Sequence, residues 1–242
     1  MTKPIQMPTT KPAKAANAAS AKPFSLVPAA AQQQMYKALS SLKPGVSGAE
    51  TGAEIAEVAA CSAINDSDPV ILACTARGAR KVRKGAKLVS KQIKRFESAM
   101  IAAVTALLGN AKATAVVCAG KLETDVAAQD DFRNAFNFAA RHKLPILFVV
   151  SHSYTATGTS KRAPKSLQQL DLRALSAELG IPVFSVDAND AIAAYRVTTE
   201  ALHHARNLRG PSIIEALTVN GHSSRAIDLL QAYMERHGNW PI

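Results

Sequence analysis

The stretch NAFNFAARHKLPILFVVSHSYTATG, from Asn134 to Gly158, decides the fold. Its first part closes an amphipathic helix over residues 129–142, with Phe132, Phe136 and Ala139 at helical spacing. LPILFVV is then apolar at every position rather than at alternate ones, the mark of a strand covered on both faces. Polar residues follow from Ser151, where that strand should end. Ligands of open α/β sheets bind outside the carboxyl ends of the strands, so residues 151–154 are the first place to look for a site.

The same alternation continues in both directions. Downstream come a helix DLRALSAELG closed by Gly180, a strand IPVFSV, and DAND, which supplies a helix N-cap at Asn189 or Asp190. A helix to about Asn207, a strand PSIIEAL and a last helix AIDLLQAYMERHG complete that half. Upstream lie a strand ATAVVCAG and a helix over 97–108 with Gly109 placed as its C-cap. Before them come a strand PVILAC and two helices, one starting near Ala30 and one at GAETGAEIAEVAACSAI. KLETDVAA and SHSYTATGTSKRAPKS read as loops after strands. Apolar strands alternating with helices predict an α/β fold: a doubly wound, mostly parallel sheet with helices on both faces. The post-strand loops should gather along one edge. Residues 1–28, rich in Ala, Pro and Lys, read as a disordered basic tail, and residues 29–242 as one domain.

Composition narrows the function class. Of 242 residues, 48% are hydrophobic, ample for a core, and 19% are charged. No apolar run approaches the ~20 residues that span a bilayer, so no membrane association is expected. The start has basic residues without an apolar h-region, unlike a secretory signal; its prolines and lack of arginine are unlike an amphipathic transit peptide. Three cysteines, Cys61, Cys74 and Cys118, without CxxC, fit buried thiols in a cytoplasmic protein. The net charge of +11 is concentrated. Residues 1–23 hold four lysines and no acid, and RGARKVRKGAKLVSKQIKR, residues 77–95, holds nine Lys/Arg and no acid. Such clusters attract phosphates, but no aromatic interleaves with the basic residues, so stacking on single-stranded nucleic acid is not expected.

Short catalytic templates are missing. There is no GxGxxG after a strand, no GxxxxGK[ST], no HExxH and no GxSxG. The adjacent pair His203-His204 points in different directions on a helix and suits surface positions. His222, in NGHSS after a buried strand, belongs to the ligand edge; it is the candidate catalytic residue, able to exchange protons near neutral pH. A loop histidine bonded to backbone is the alternative.

Several segments in continuous order carry a resemblance. DDFRNAFNFAARHKLPILFVVSHSY, LGIPVFSVDANDAIAAYRVTTEALHHARNLRGPSIIEALT, NGHS and YMERHGNWPI resemble the α subunit of thiamine diphosphate-dependent 2-oxo acid dehydrogenases, the E1 component of pyruvate, branched-chain and acetoin dehydrogenase complexes. The likeness covers roughly residues 115–242 and extends more weakly to SGAETGAEIAEVAACSAINDSD. It implies thiamine diphosphate with Mg²⁺ as cofactors, oxidation of 2-oxo acids with acyl transfer to lipoyl on E2, and pairing with an E1 β-like subunit or a second copy.

The resemblance also marks departures. The family's GDG motif falls on Glu123-Thr124-Asp125, its NN pair on His152-Ser153, and its phosphate-holding Tyr-Arg pair on Cys74-Thr75. The glycine-rich segment upstream is shortened and the basic run stands in its place. Mg²⁺ asks for oxygen ligands in near-octahedral geometry, which serine and histidine supply poorly. The candidate cofactor contacts are Asp125, Ser151, His152 and Ser153; no metal ligand is assigned, and His222 matches the family's active-site histidine. Arg80, Lys81, Arg83 or Lys84 could instead meet an anion directly. The resulting expectation is a divergent E1-like chain with a degenerate cofactor site, with a non-catalytic scaffold subunit or an anion or nucleic-acid binder as alternatives.

Overall fold

In the computed structural model the described residues are 24–42, 48–73, 77–88, 95–121, 126–154, 171–208, 210–219 and 225–240. Six strands form one sheet: β1 (Val70–Leu72), β2 (Lys87–Leu88), β3 (Ala115–Lys121), β4 (Ile146–Tyr154), β5 (Val183–Asp187) and β6 (Ser212–Val219). Their order is β2-β1-β3-β4-β6-β5, and every described pair is parallel. The helices are α1 (Ala29–Ser40), α2 (Gly48–Ala63), α3 (Arg77–Val82), α4 (Arg95–Gly109), α5 (Val126–Arg141), α6 (Leu172–Leu179), α7 (Ala191–Leu208) and α8 (Arg225–Arg236).

The continuous apolar strands are explained by two cores, one on each face. Leu147 and Val149 of β4, Val116 and Cys118 of β3, and Ile214 and Ala216 of β6 pack under α1, α2, α7 and α8. The intervening Ile146, Phe148, Val150, Val117 and Ile213 pack under α4, α5 and α6. That second core is built on a run of aromatic contacts: Phe96–Phe132 at 3.7 Å, Phe132–Phe136 at 5.2 Å and Phe136–Phe148 at 4.7 Å between ring centroids. The Asp131-Phe132 pair has a double role. Phe132 fills the core, while the Asp131 carboxylate accepts the backbone N–H groups of Phe96 and Glu97 at 2.8 and 3.0 Å, capping α4 from a neighbouring helix.

Several boundaries differ from the sequence expectation. β4 does not stop at Val150: residues 151–154 stay in register with Ala216–Val219 of β6. Ladder hydrogen bonding uses only backbone, so polar side chains at a strand end do not terminate it. α5 starts at Val126, so part of the expected loop KLETDVAA is helical. Gly109 is the last residue of α4 and lacks the positive φ of a C-cap, unlike Gly180, which has φ 67° after α6. Of the two candidate caps of α7, Asp190 does the work, accepting the N–H groups of Ile192 and Ala193. Gly78 lies inside α3, where its bare Cα lets α3 approach Val58 of α2. Residues 24–28, read with the tail, are held to α8: Tyr233 Oη pairs with Ser25 Oγ and accepts from Leu26 N–H, and Val27 is buried. Residues 1–23 lie outside the described residues.

Candidate functional site

The parallel sheet brings the carboxyl ends of β3, β4, β6 and β5 to one edge, at Lys121, Tyr154, Val219 and Asp187. The crossover that leaves β2 outside β1 and starts β3 on β1's other side makes the β1/β3 boundary a topological switch point, where α/β sheets place ligands.

Of the candidate cofactor contacts, Ser151 is the one whose side chain is described. It is 3% exposed, in register with Ala216, and its hydroxyl has no hydrogen-bond partner among the described residues. Its position in β4 follows Leu147 and Val149 on the face covered by α2. A buried hydroxyl without a partner costs free energy, which makes it a group with unused bonding capacity. His152 and Ser153 are brought to the same strand end, in register with Leu217 and Thr218. Asp125 and His222 lie outside the described residues, as do Glu123, Thr124, Cys74 and Thr75.

Two buried polar groups were not anticipated. Asn189, after β5, gives its backbone N–H and side-chain amide N–H to Asp187 Oδ1 and keeps its own Oδ1 buried, without a partner among the described residues. DAND carried a helix N-cap signal, and nothing in it distinguished a buried amide from an exposed one. Glu215, in the middle of β6, accepts the Ser185 hydroxyl at 2.6 Å from the neighbouring strand. A single acid within PSIIEAL is a visible signal of a partnered buried carboxylate.

The basic run divides into committed and free cations. Arg83 donates to the carbonyls of Asn65, Asp66 and Asp68 and to the Asp66 carboxylate, so it clamps the turn between α2 and β1. This removes it from the expected anion binders. Arg77 pairs with Glu54 at 3.1 Å. Arg80, Lys81, Lys84 and Lys87 are exposed, with no ion pair among the described residues.

These groups can be tested against a magnesium-chelated diphosphate. That ligand needs several oxygen donors for the ion and neutralising contacts for the phosphates. Among the described residues no three His, Cys, Asp or Glu side chains converge as a metal site. Ser151, on β4, supplies a neutral hydroxyl there, a hydrogen-bonding group and a weak ligand for such an ion. No described helix is long and apolar enough to cross a membrane.

Residues 75–234 match the family model of the dehydrogenase E1 component. The pyruvate dehydrogenase E1 component subunit alpha of Acholeplasma laidlawii is 31% identical over 135 residues, covering 56% of this chain and 39% of that protein. Its counterpart from Staphylococcus epidermidis is 37% identical over 92 residues, covering 38% and 24%. This chain therefore spans about a quarter to two fifths of the length of these curated relatives. Among solved structures, a candidate thiamin diphosphate-dependent enzyme from Mycobacterium smegmatis aligns with a TM-score of 0.48 and 21% identity, covering 68% of this chain and 31% of that one. The family match runs without interruption from before α3 into α8, and on it the chain belongs to the dehydrogenase E1 component family.

Proposed function

We propose that this chain is an E1-type domain whose thiamine diphosphate–Mg²⁺ site is degenerate, so that it does not carry out the 2-oxo acid oxidation its relatives' names describe. The observation that carries the reading is the end of β4. The positions that align with the family's Asn pair hold His152 and Ser153, and beside them Ser151 is buried with its hydroxyl unpaired among the described residues. A diphosphate brought into a water-poor site without counter-charge costs several kcal/mol. Glu123 and Asp125 bring negative charge, and no glycine flanks Asp125 to let backbone N–H groups approach. His222 keeps the residue type for proton exchange, without the cofactor on which it would act.

The role that remains is that of a partner subunit, paired with an E1 β-like chain or a second copy and, through them, with an E2 assembly. The family's fold supports this, because the two packed faces do not depend on the ligand edge. Titration calorimetry of the full chain with thiamine diphosphate and Mg²⁺ tests the reading. No heat of binding is expected in the micromolar range; saturable micromolar uptake that requires Mg²⁺ would overturn it.

A further inference from the structure

The short helix α3 divides its residues between two faces. Gly78 and Ala79 are buried, and a Cβ on Gly78 would meet Val58 of α2 and Leu42 beyond the end of α1. Val82 packs against the same core. Arg83, whose backbone N–H bonds the Ala79 carbonyl, sends its guanidinium to the carbonyls of the 65–68 turn. These four residues pin the helix to the body of the protein. Arg77, Arg80, Lys81 and, in the turn that follows, Lys84 are all exposed. They recur at the i, i+3, i+4, i+7 spacing of one helix face. Lys87, exposed on the edge strand β2, extends the stripe.

Nothing within the described structure neutralises this outer face. Residues 77–95 contain no acid. Glu54 pairs with Arg77 at 3.1 Å and Asp66 with Arg83 at 2.8 Å, while Arg80, Lys81, Lys84 and Lys87 have no ion pair among the described residues. Like charges at neighbouring helix positions repel, and an anion laid across them relieves the repulsion. The rest of the surface narrows the kind of anion. A helix that lies on a membrane buries an apolar face there, and the apolar face of α3 is already packed against α2. Residues 77–95 hold no aromatic, and Phe96 is 1% exposed, so unpaired bases have nothing to stack on. What remains is a row of fixed cations suited to a partner with closely spaced negative charge on its outside.

We infer that the outer face of α3, with Lys87 of β2, binds the phosphate backbone of duplex nucleic acid without reading its sequence. Side chains three and four positions apart on a helix lie about 5–6 Å from one another, close enough for neighbouring cations to meet neighbouring phosphates of one strand. Counterions released from the duplex supply the affinity, and contacts of this kind position a protein on a duplex without selecting bases. The inference does not rest on the state of the cofactor site: none of Asp125, Ser151, His152, Ser153 and His222 belongs to the stripe.

Fluorescence anisotropy of the full chain with labelled duplex DNA, read across a salt series, tests it. Wild type should bind two duplexes of unrelated sequence equally, in the micromolar range at low salt, with affinity falling steeply as salt rises. Each phosphate contact contributes about 0.9 to the slope of log affinity against log salt. The helix variant R80Q/K81Q/K84Q should therefore flatten that slope by about 2.7 and weaken binding at low salt by more than about tenfold. Its circular dichroism should match wild type, since the three side chains are exposed. The tail variant K3Q/K11Q/K14Q/K22Q, compared with the same variant carrying the helix substitutions, should show the same difference in slope. Absence of duplex binding by wild type, an unchanged slope in the helix variant, or loss of all binding in the tail variant would each overturn the inference. Phosphatidylserine vesicles and polyglutamate are measured beside the duplex at the same salt. Tighter binding to either would assign the stripe to a membrane surface or an acidic polypeptide and would overturn it as well.

Discussion

Replacing Asp68 with alanine should be among the most damaging single changes at the amino edge of the sheet. The Asp68 side chain is 1% exposed. Its Oδ1 accepts the N–H of Thr114 at 2.8 Å, just before β3, and its Oδ2 accepts the N–H of Asn65 at 2.9 Å and the guanidinium of Arg206 from α7. Arg206 also reaches Thr114 Oγ1 at 3.3 Å. One carboxylate therefore joins the α2–β1 turn, the start of β3 and α7. Removing one member of a buried pair costs about 3–5 kcal/mol, because the remaining groups lose their partner inside the protein. The Arg206 side chain is 31% exposed, so water recovers part of its share and the lower end of that range applies. At about 2–4 °C per kcal/mol for a domain of this size, the melting temperature should fall by roughly 10 °C. Urea unfolding followed by circular dichroism and by Trp240 fluorescence supplies the measurement. Arg206→Met leaves the carboxylate its two backbone donors and should cost less than half as much as Asp68→Ala. A loss below about 1 kcal/mol for Asp68→Ala, or equal losses for both variants, would refute the reasoning.

Three further outcomes follow from buried groups. A Cβ on Gly78 would lie 2.5 Å from Val58 Cγ2, so Gly78→Ala should destabilise by about 1–3 kcal/mol in denaturant unfolding, and adding Val58→Ala should return part of the loss. Ser151→Ala removes a buried hydroxyl without a partner and should be neutral or stabilising by up to about 1 kcal/mol; a clear loss would show that the hydroxyl is bonded after all. Burial holds the Tyr195 phenol above its ordinary value of 10.0. The fold thus favours the neutral phenol, a contribution complete below pH about 10 and lost as pH rises through the higher folded value. Unfolding measured in alkaline buffers should therefore fall less steeply with pH for Tyr195→Phe than for wild type.

The layered architecture was legible because burial on two faces leaves a mark in sequence: LPILFVV and PSIIEAL are apolar at consecutive positions, and each became a central strand. Strand ends were less legible. Ser, His, Ser and Tyr at 151–154 look like a loop by side chain, yet backbone pairing with β6 carries the strand through them. Helix ends depended on side-chain geometry: Asp190 rather than Asn189 caps α7, and an aspartate on α5 bonds the start of α4, a contact that no local pattern encodes. The Asp68–Arg206 pair joins residues 138 positions apart, and Arg83 looked like any other member of a basic run. At the ligand edge the sequence located Ser151, His152 and Ser153 on one strand end, but the unpaired state of the Ser151 hydroxyl belongs to its packing environment and appears only in three dimensions.

On the proposed reading, separation of scaffold and site lets an E1-type fold persist with altered cofactor contacts. The two cores, the aromatic run and the Asp68 and Arg83 anchors are built largely from the helices, the strand middles and the amino edge of the sheet. Ligand binding energy is measurable. A site holding thiamine diphosphate at one hundred times its dissociation constant would add about 2.7 kcal/mol to stability, comparable to one of the anchors. It would raise the melting temperature by roughly 5–10 °C. For this chain the shift with thiamine diphosphate and Mg²⁺ should be near zero. Pyrophosphate alone discriminates further: a small, salt-sensitive shift that disappears in R80E/K81E/K84E would come from the exposed basic edge. A shift of several degrees that needs both the thiamine moiety and Mg²⁺ would show that the ligand edge still assembles a metal diphosphate site, with Asp125 or His152 supplying what Ser151 lacks.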